Sequence, residues 1–195
     1  MAKLYFRYGS MNSGKTTALI QTAYNYEERG MRVLVIKPKI DTKGENKIVS
    51  RIGATRKVDC LISKNDKIKD LQYKNHNCIL VDEAQFLTKK QIEELFEIAC
   101  LEDIPVICYG LRTDFVSQGF EGSQRLLELA HSIEELKTIC RCGKKAILTI
   151  RKVNDQPVFS GNQAEIDNNS KIEYESVCGT CYLKARKGWQ LVIPF

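Results

Sequence analysis

The hydrophobic and polar positions of this chain change period several times, and the changes predict its elements. Residues 3–8 alternate, with Leu4, Phe6 and Tyr8 on one face, as in a half-buried strand. Residues 18–29 contain no Gly or Pro, carry Leu19, Ile20, Ala23 and Tyr24 at helical spacing, and stop at Gly30. Residues 33–36 form an unbroken apolar run, a second strand. The polar, charged stretch 37–57 reads as a long loop. Short apolar strands follow at Cys60–Ile62 and Cys78–Val81, on either side of a lysine-rich helix predicted near 66–71.

Thr88 and Gln91 have capping-box spacing, and Ile92, Leu95, Phe96 and Ala99 recur behind them at helical intervals. Residues 106–109 make another buried-type strand, and Ser123 is placed to cap a helix carrying Leu126, Leu127, Leu129 and Ala130. Strands alternating with helices predict an α/β fold with a parallel sheet covered on both faces. The character changes near Lys137. Beyond it lie short β-like runs at 146–153, 172–177 and 189–193, grouped around cysteines. The chain therefore divides into an α/β domain over 1–136 and a small β lobe over 137–195.

Composition changes this picture in two places. The 195 residues are 43% hydrophobic, enough for a substantial core, and the net charge of +6 is mild. That charge suits a phosphate-bearing ligand, but Lys and Arg alternate with Glu and Asp instead of forming one block, so nucleic-acid binding is permitted without being indicated, and no stable complex is expected. No apolar run approaches a membrane span and the N-terminus has no signal pattern, which predicts a soluble, cytoplasmic protein. Among the eight cysteines, Cys60, Cys78, Cys100 and Cys108 are scattered in apolar segments and are expected in the core. Cys140 with Cys142, and Cys178 with Cys181, form two close pairs that suggest a metal rather than disulfides. His76 and His131 stand apart from these pairs and are expected to be structural; Trp189 is expected to pack the C-terminal lobe.

The sharpest chemical signal lies between the first strand and the first helix. Gly9-Ser10-Met11-Asn12-Ser13-Gly14-Lys15-Thr16-Thr17 has the spacing G-x-x-x-x-G-K-[ST], a P-loop. Such a turn points successive N–H groups at phosphate, with Lys15 as a point charge and the Thr16 hydroxyl on Mg²⁺. A P-loop needs a carboxylate at the end of a neighbouring strand. The run Cys78–Val81 leads straight into Asp82, the natural Mg²⁺ partner, and then Glu83, placed to take a proton from an attacking hydroxyl or water. An ATP or GTP phosphoryl-transfer enzyme follows, with the acceptor open.

GSMNSGKTT, then DEAQF at 82–86, then YGLRTDF at 109–115, then the two cysteine pairs, resembles the cytosolic, tetrameric type of thymidine kinase over the whole length of the chain. The resemblance implies a RecA-like P-loop core with a small zinc-bearing β lobe, and ATP-dependent phosphorylation of the thymidine 5′-hydroxyl. It implies Glu83 as general base, with Lys15 and Arg51 near the reacting phosphate, and Gln85 with the P-loop and Asp82 among the nucleotide-contacting residues. It further implies Met11, Phe86, Leu111, Phe115, Phe120 and Tyr174 around the nucleoside. Zn²⁺ would sit on Cys140, Cys142, Cys178 and Cys181, Mg²⁺ on Thr16 and Asp82, and the assembly would be a homotetramer. In this family a closing loop holds the base largely through backbone hydrogen bonds.

Two stretches depart from the family pattern. Cys140-Arg141-Cys142 is one residue shorter than C-x-x-C, which predicts a retained zinc but a lost knuckle. The stretch Ile166-Asp167-Asn168-Asn169-Ser170 stands where the family tends to carry paired glycines. Two other functions compete with a deoxynucleoside kinase. One is a RecA- or helicase-like ATPase, since Asp82-Glu83-Ala84-Gln85 also resembles a helicase acidic box, though no second motor motif set is present. The other is a zinc-ribbon binding module with a regulatory P-loop.

Overall fold

The computed structural model describes residues 1–41, 44, 46–161, 163 and 171–188. Six strands form one parallel sheet: β1 (Leu4–Tyr8), β2 (Val33–Pro38), β5 (Cys60–Ile62), β6 (Cys78–Val81), β7 (Val106–Gly110) and β8 (Ser132–Glu135). Their spatial order is β5-β2-β6-β7-β1-β8. Alternation along β1 sends Leu4 and Phe6, both fully buried, into the core on one face, while Tyr5 packs on the other. Helix α1 (Lys15–Glu27) covers that second face through Leu19 and Ala23. Helices α2 (Lys89–Leu101) and α3 (Glu121–Leu129) cover the first, through Ile92, Leu95, Ile98 and Leu126. Each such fully buried aliphatic side chain contributes roughly 2 kcal/mol of transfer free energy.

The capping box at α2 is formed as its spacing predicts: Gln91 N–H donates to Thr88 Oγ1 and Thr88 N–H to Gln91 Oε1. Elsewhere tertiary contacts override local pattern. The lysine-rich helix shrinks to one 3-10 turn at Ile68–Asp70, because Glu94 of α2 accepts the Ile68 N–H at 2.6 Å and draws the segment onto that helix. The loop predicted over 37–57 contains a hairpin, β3 (Lys47–Val49) with β4 (Thr55–Lys57), pinned by Ile48 and Val58 in the core. Ser123 does not cap α3. The helix starts earlier, at Glu121, and Ser123 Oγ instead donates to the Leu111 carbonyl at 2.5 Å. Cys78 and Cys108 are buried as expected, whereas Cys60 and Cys100 are half-buried. His131 is structural: its Nδ1 accepts the Leu4 N–H at 3.0 Å and its ring stacks on Phe96.

After β8 the chain builds separate small sheets. Strands β9 (Thr138–Ile139) and β10 (Lys145–Ala146) form a hairpin. Strand β11 (Leu148–Val153) lies between β12 (Gln156–Val158) and β13 (Ile172–Val177), all antiparallel, and α4 (Gly179–Arg186) follows. They enclose their own core of Ala146, Ile150, Val177 and Tyr182 with Cys140 and Cys178. The strand predicted at 189–193, the placement of Trp189 and the stretch 166–170 lie outside the described residues. Among the described residues, no helix is long and apolar enough to cross a membrane.

Candidate active site and metal centre

In a parallel sheet every strand presents its carboxyl end at the same edge. β1 delivers the P-loop there and β6 delivers Asp82 and Glu83, with only β7 between them. At a strand spacing near 4.8 Å, the two chain ends stand about 10 Å apart, room for a phosphate between them.

The P-loop is shaped by two different needs for glycine. Gly14 caps α1 with φ 81°, in the left-handed region, and Asn12 just before it also has a positive φ of 64°. Gly9 has an ordinary backbone but no space, since a Cβ there would lie 2.3 Å from Ser13 Oγ and 2.5 Å from the Leu136 carbonyl. The Lys15 ammonium is buried, donating to the carbonyls of Gly9 at 3.2 Å and Ser10 at 2.9 Å. The hydroxyls of Ser10 and Ser13 are buried without a hydrogen-bond partner. Buried orphan hydroxyls beside an ammonium and a helix N-terminus fit a phosphate chain.

Opposite, Asp82 is 4% exposed. Burial first, and then the charge of Glu83, push its carboxyl up to about 7, offset in part by the Glu83 N–H and Lys15. A buried carboxyl beside a second carboxylate suits a divalent cation. Glu83 has φ 50° and ψ 41°, a left-handed conformation that costs a non-glycine residue about 1 kcal/mol or more. That kink turns the chain from β6 into the 3-10 turn Ala84–Phe86. Glu83 lines a cavity of about 170 Å³ with Lys15, Thr16, Thr17 and Arg51. Arg51, placed near the reacting phosphate by the family resemblance, arrives there at the tip of the β3–β4 hairpin, an element the polar stretch 37–57 did not suggest.

Met11, Asn12 and Arg51 also border a second, larger cavity of about 560 Å³, whose far wall is Tyr174 and Ser176 of β13 with Arg141. The other residues proposed for a nucleoside are placed differently. Phe115 and Phe120 are 2% and 4% exposed, and Phe86 meets Phe120 edge-on at 5.6 Å. Leu111 faces Tyr8, Gly9 and Thr149 in a narrow cleft. Gln85 is buried, and its amide is engaged within the protein by Glu83 and Leu111.

Several residues here escaped the sequence reading. Ser176 Oγ donates to the Met11 carbonyl. Tyr182 donates from its hydroxyl to the Phe115 carbonyl at 3.0 Å, and the buried Arg151 guanidinium lies 3.9 Å over the Phe115 ring. Asp114 accepts from the N–H groups of Val116 and Gln118 and from Gln163. Signals existed for two of them. Ser176 follows Tyr174 at strand period, hence on the same face, and Arg151 is a charge inside an otherwise strand-like run.

The four clustered cysteines place their sulfurs within 4.8 Å of one another, with Cys142 and Cys178 at 3.6 Å. Tetrahedral zinc with Zn–S near 2.3 Å requires sulfurs roughly 3.8 Å apart, so the set fits. Contrary to expectation, the shortened first pair keeps a tight knuckle. Gly143, with φ 80°, closes it, its N–H donating to the Cys140 carbonyl at 2.8 Å while the Cys140 N–H reaches the Lys144 carbonyl at 2.8 Å. A hydrogen bond from the Lys144 backbone holds the Cys142 thiol down, to about 7.

Comparison with known proteins gives a consistent result. Among solved structures, a Pif1 helicase from Candida albicans is 15% identical, with a TM-score of 0.42 over 73% of this chain and 37% of that one, a likeness too slight to speak to activity. A thymidine kinase of Photorhabdus laumondii is 48% identical over 95% of this chain and 94% of its own. That of Pasteurella multocida is 46% identical, covering 93% and 97%, and that of Xanthomonas axonopodis 45%, covering 100% and 95%. The family model for thymidine kinase matches residues 2–182, and the chain belongs to the thymidine kinase family.

Proposed function

We propose that the protein transfers the γ-phosphoryl group of ATP to the 5′-hydroxyl of thymidine, giving dTMP. The observation that carries this reading is that Glu83 and the P-loop residues Lys15, Thr16 and Thr17 line one cavity. The backbone of Gly9 through Thr17 holds the triphosphate, and Lys15 leaves the loop carbonyls to neutralise the transferred group. Thr16 and Asp82 hold Mg²⁺, which when bound offsets charge on the outer phosphates. Glu83 accepts the hydroxyl proton as the new P–O bond forms and the γ-phosphorus parts from the β-phosphate oxygen, releasing ADP, and Arg51 steadies the phosphoryl group from the hairpin tip.

The nucleoside lies between Met11 and Tyr174, with Leu111, Phe86, Phe115 and Phe120 forming or backing its apolar walls and keeping water from the reaction. Residues 1–136 act as the nucleotide-holding unit and 137–195 as the nucleoside-facing lobe, organised by zinc on the four cysteines. The assembly is a homotetramer, and no stable complex with nucleic acid forms. Family membership disfavours a helicase-like ATPase.

The test is transfer of labelled phosphate from ATP across the four deoxynucleosides, with and without DNA. Thymidine-dependent formation of dTMP is the expected result. ATP consumption that needs no nucleoside and rises with DNA would overturn the reading.

A further inference from the structure

Gln85 is 2% exposed, and its carboxamide is committed at both ends. Nε2 donates to Glu83 Oε2 at 2.5 Å, and Oε1 accepts the Leu111 N–H at 3.1 Å. The orientation of the amide is fixed by its partners. A backbone N–H can only donate and an ionised carboxylate can only accept, so the oxygen must face Leu111 and the amino group must face Glu83. Neither Met nor an ionised Glu can do both.

The bridge is built into its surroundings. A Cβ on Gly110 would sit 2.7 Å from Gln85 Oε1, so a side chain there would displace the amide. Leu111 is held from its other side as well, by the Ser123 hydroxyl on its carbonyl. Glu83 stands on a left-handed kink that aims its side chain, but a flexible carboxylate also needs a partner to fix its rotamer.

We propose that Gln85 is a positioning residue for phosphoryl transfer. It fixes the Glu83 carboxylate through one oxygen, leaves the other to take the proton, and ties that orientation to the Leu111 backbone just past the end of β7. This rests on reading Glu83 as the general base. It also gives Gln85 a role beside nucleotide contact, since one donor of its amino group and one lone pair of its oxygen are engaged within the protein.

A double-mutant cycle tests the proposal on the full chain. Gln85→Met removes both hydrogen bonds at similar length, and Gln85→Glu keeps the shape but, when ionised, cannot donate to Glu83 and repels it. Each is expected to lower kcat with thymidine by on the order of 10²-fold, the penalty of about 1 Å of misplacement, while ATP affinity measured by direct titration changes less than about twofold. In a Glu83→Gln background, Gln85→Met should change the residual kcat by less than about twofold, because residues acting as one unit are not additive. An equal loss in both backgrounds would overturn the proposal, as would a fall in ATP affinity with kcat retained. Near-normal turnover of Glu83→Gln alone would instead remove the reading of Glu83 as base, and with it the role of Gln85. If Gln85→Met folds poorly, as its melting midpoint would reveal, the same cycle run with Gln85→Glu decides.

Discussion

The Ser176 hydroxyl donates to the carbonyl of Met11, across 165 positions of sequence. Ser176 lies on β13 between Tyr174, which borders the larger cavity, and Cys178 of the metal cluster. One strand therefore joins the P-loop and the proposed nucleoside wall and leads into the four-cysteine cluster. Ser176→Ala should leave the fold intact and weaken ATP binding by about 1 kcal/mol, roughly fivefold, the worth of one such hydrogen bond. Calorimetric titration with an ATP analogue checks this, and unchanged affinity would discard the coupling.

Tyr182 makes the corresponding contact on the other side. Its hydroxyl is the donor to the Phe115 carbonyl, and its ring meets Phe159 edge-on at 5.5 Å. Tyr182→Phe keeps the ring packing but leaves a buried carbonyl without its donor, at a cost of about 1–3 kcal/mol. The expected signature is a higher KM for thymidine with KM for ATP little changed. Equal rises in both would mean a general loosening instead.

Metal removal should act through the same connections. Purified protein is expected to carry one zinc per chain by elemental analysis. Stripping it with a chelator should lower the melting midpoint and raise KM for both substrates, because the thiolates of the β9–β10 turn and of the start of α4 would no longer be held together. Full zinc loss with unaltered kinetics would contradict this.

Glu83→Gln preserves shape and the partner at Gln85 by amide reorientation, but it cannot accept a proton. A fall in kcat of about 10²–10⁴-fold is expected, with ATP affinity retained. Rapid-quench measurement of a single turnover separates this loss from slow product release.

Much of the fold was legible locally. The alternation of residues 3–8, the apolar runs before Asp82 and at 106–109, the capping box at Thr88 and the P-loop spacing each depend on a window of a few residues, and each is formed. The lysine-rich helix failed because helix formation in so short a segment is marginal, and Glu94 offered its N–H groups a better acceptor. The hairpin at 47–57 was hidden because its strands have three residues each, too few for a period to show. Its existence rests on Ile48 and Val58 finding the core.

The sequence by itself determined that a phosphate loop, an acidic strand end and four thiols were present, since each is written in contiguous residues whose spacing follows from backbone geometry. Only the tertiary structure decided that a β3–β4 hairpin carries Arg51 to the cavity lined by Lys15 and Glu83, that Ser176 grips Met11 and that Gln85 spans Glu83 and Leu111. Those meetings depend on sheet order and on which buried polar atoms must find partners, quantities that no local window contains.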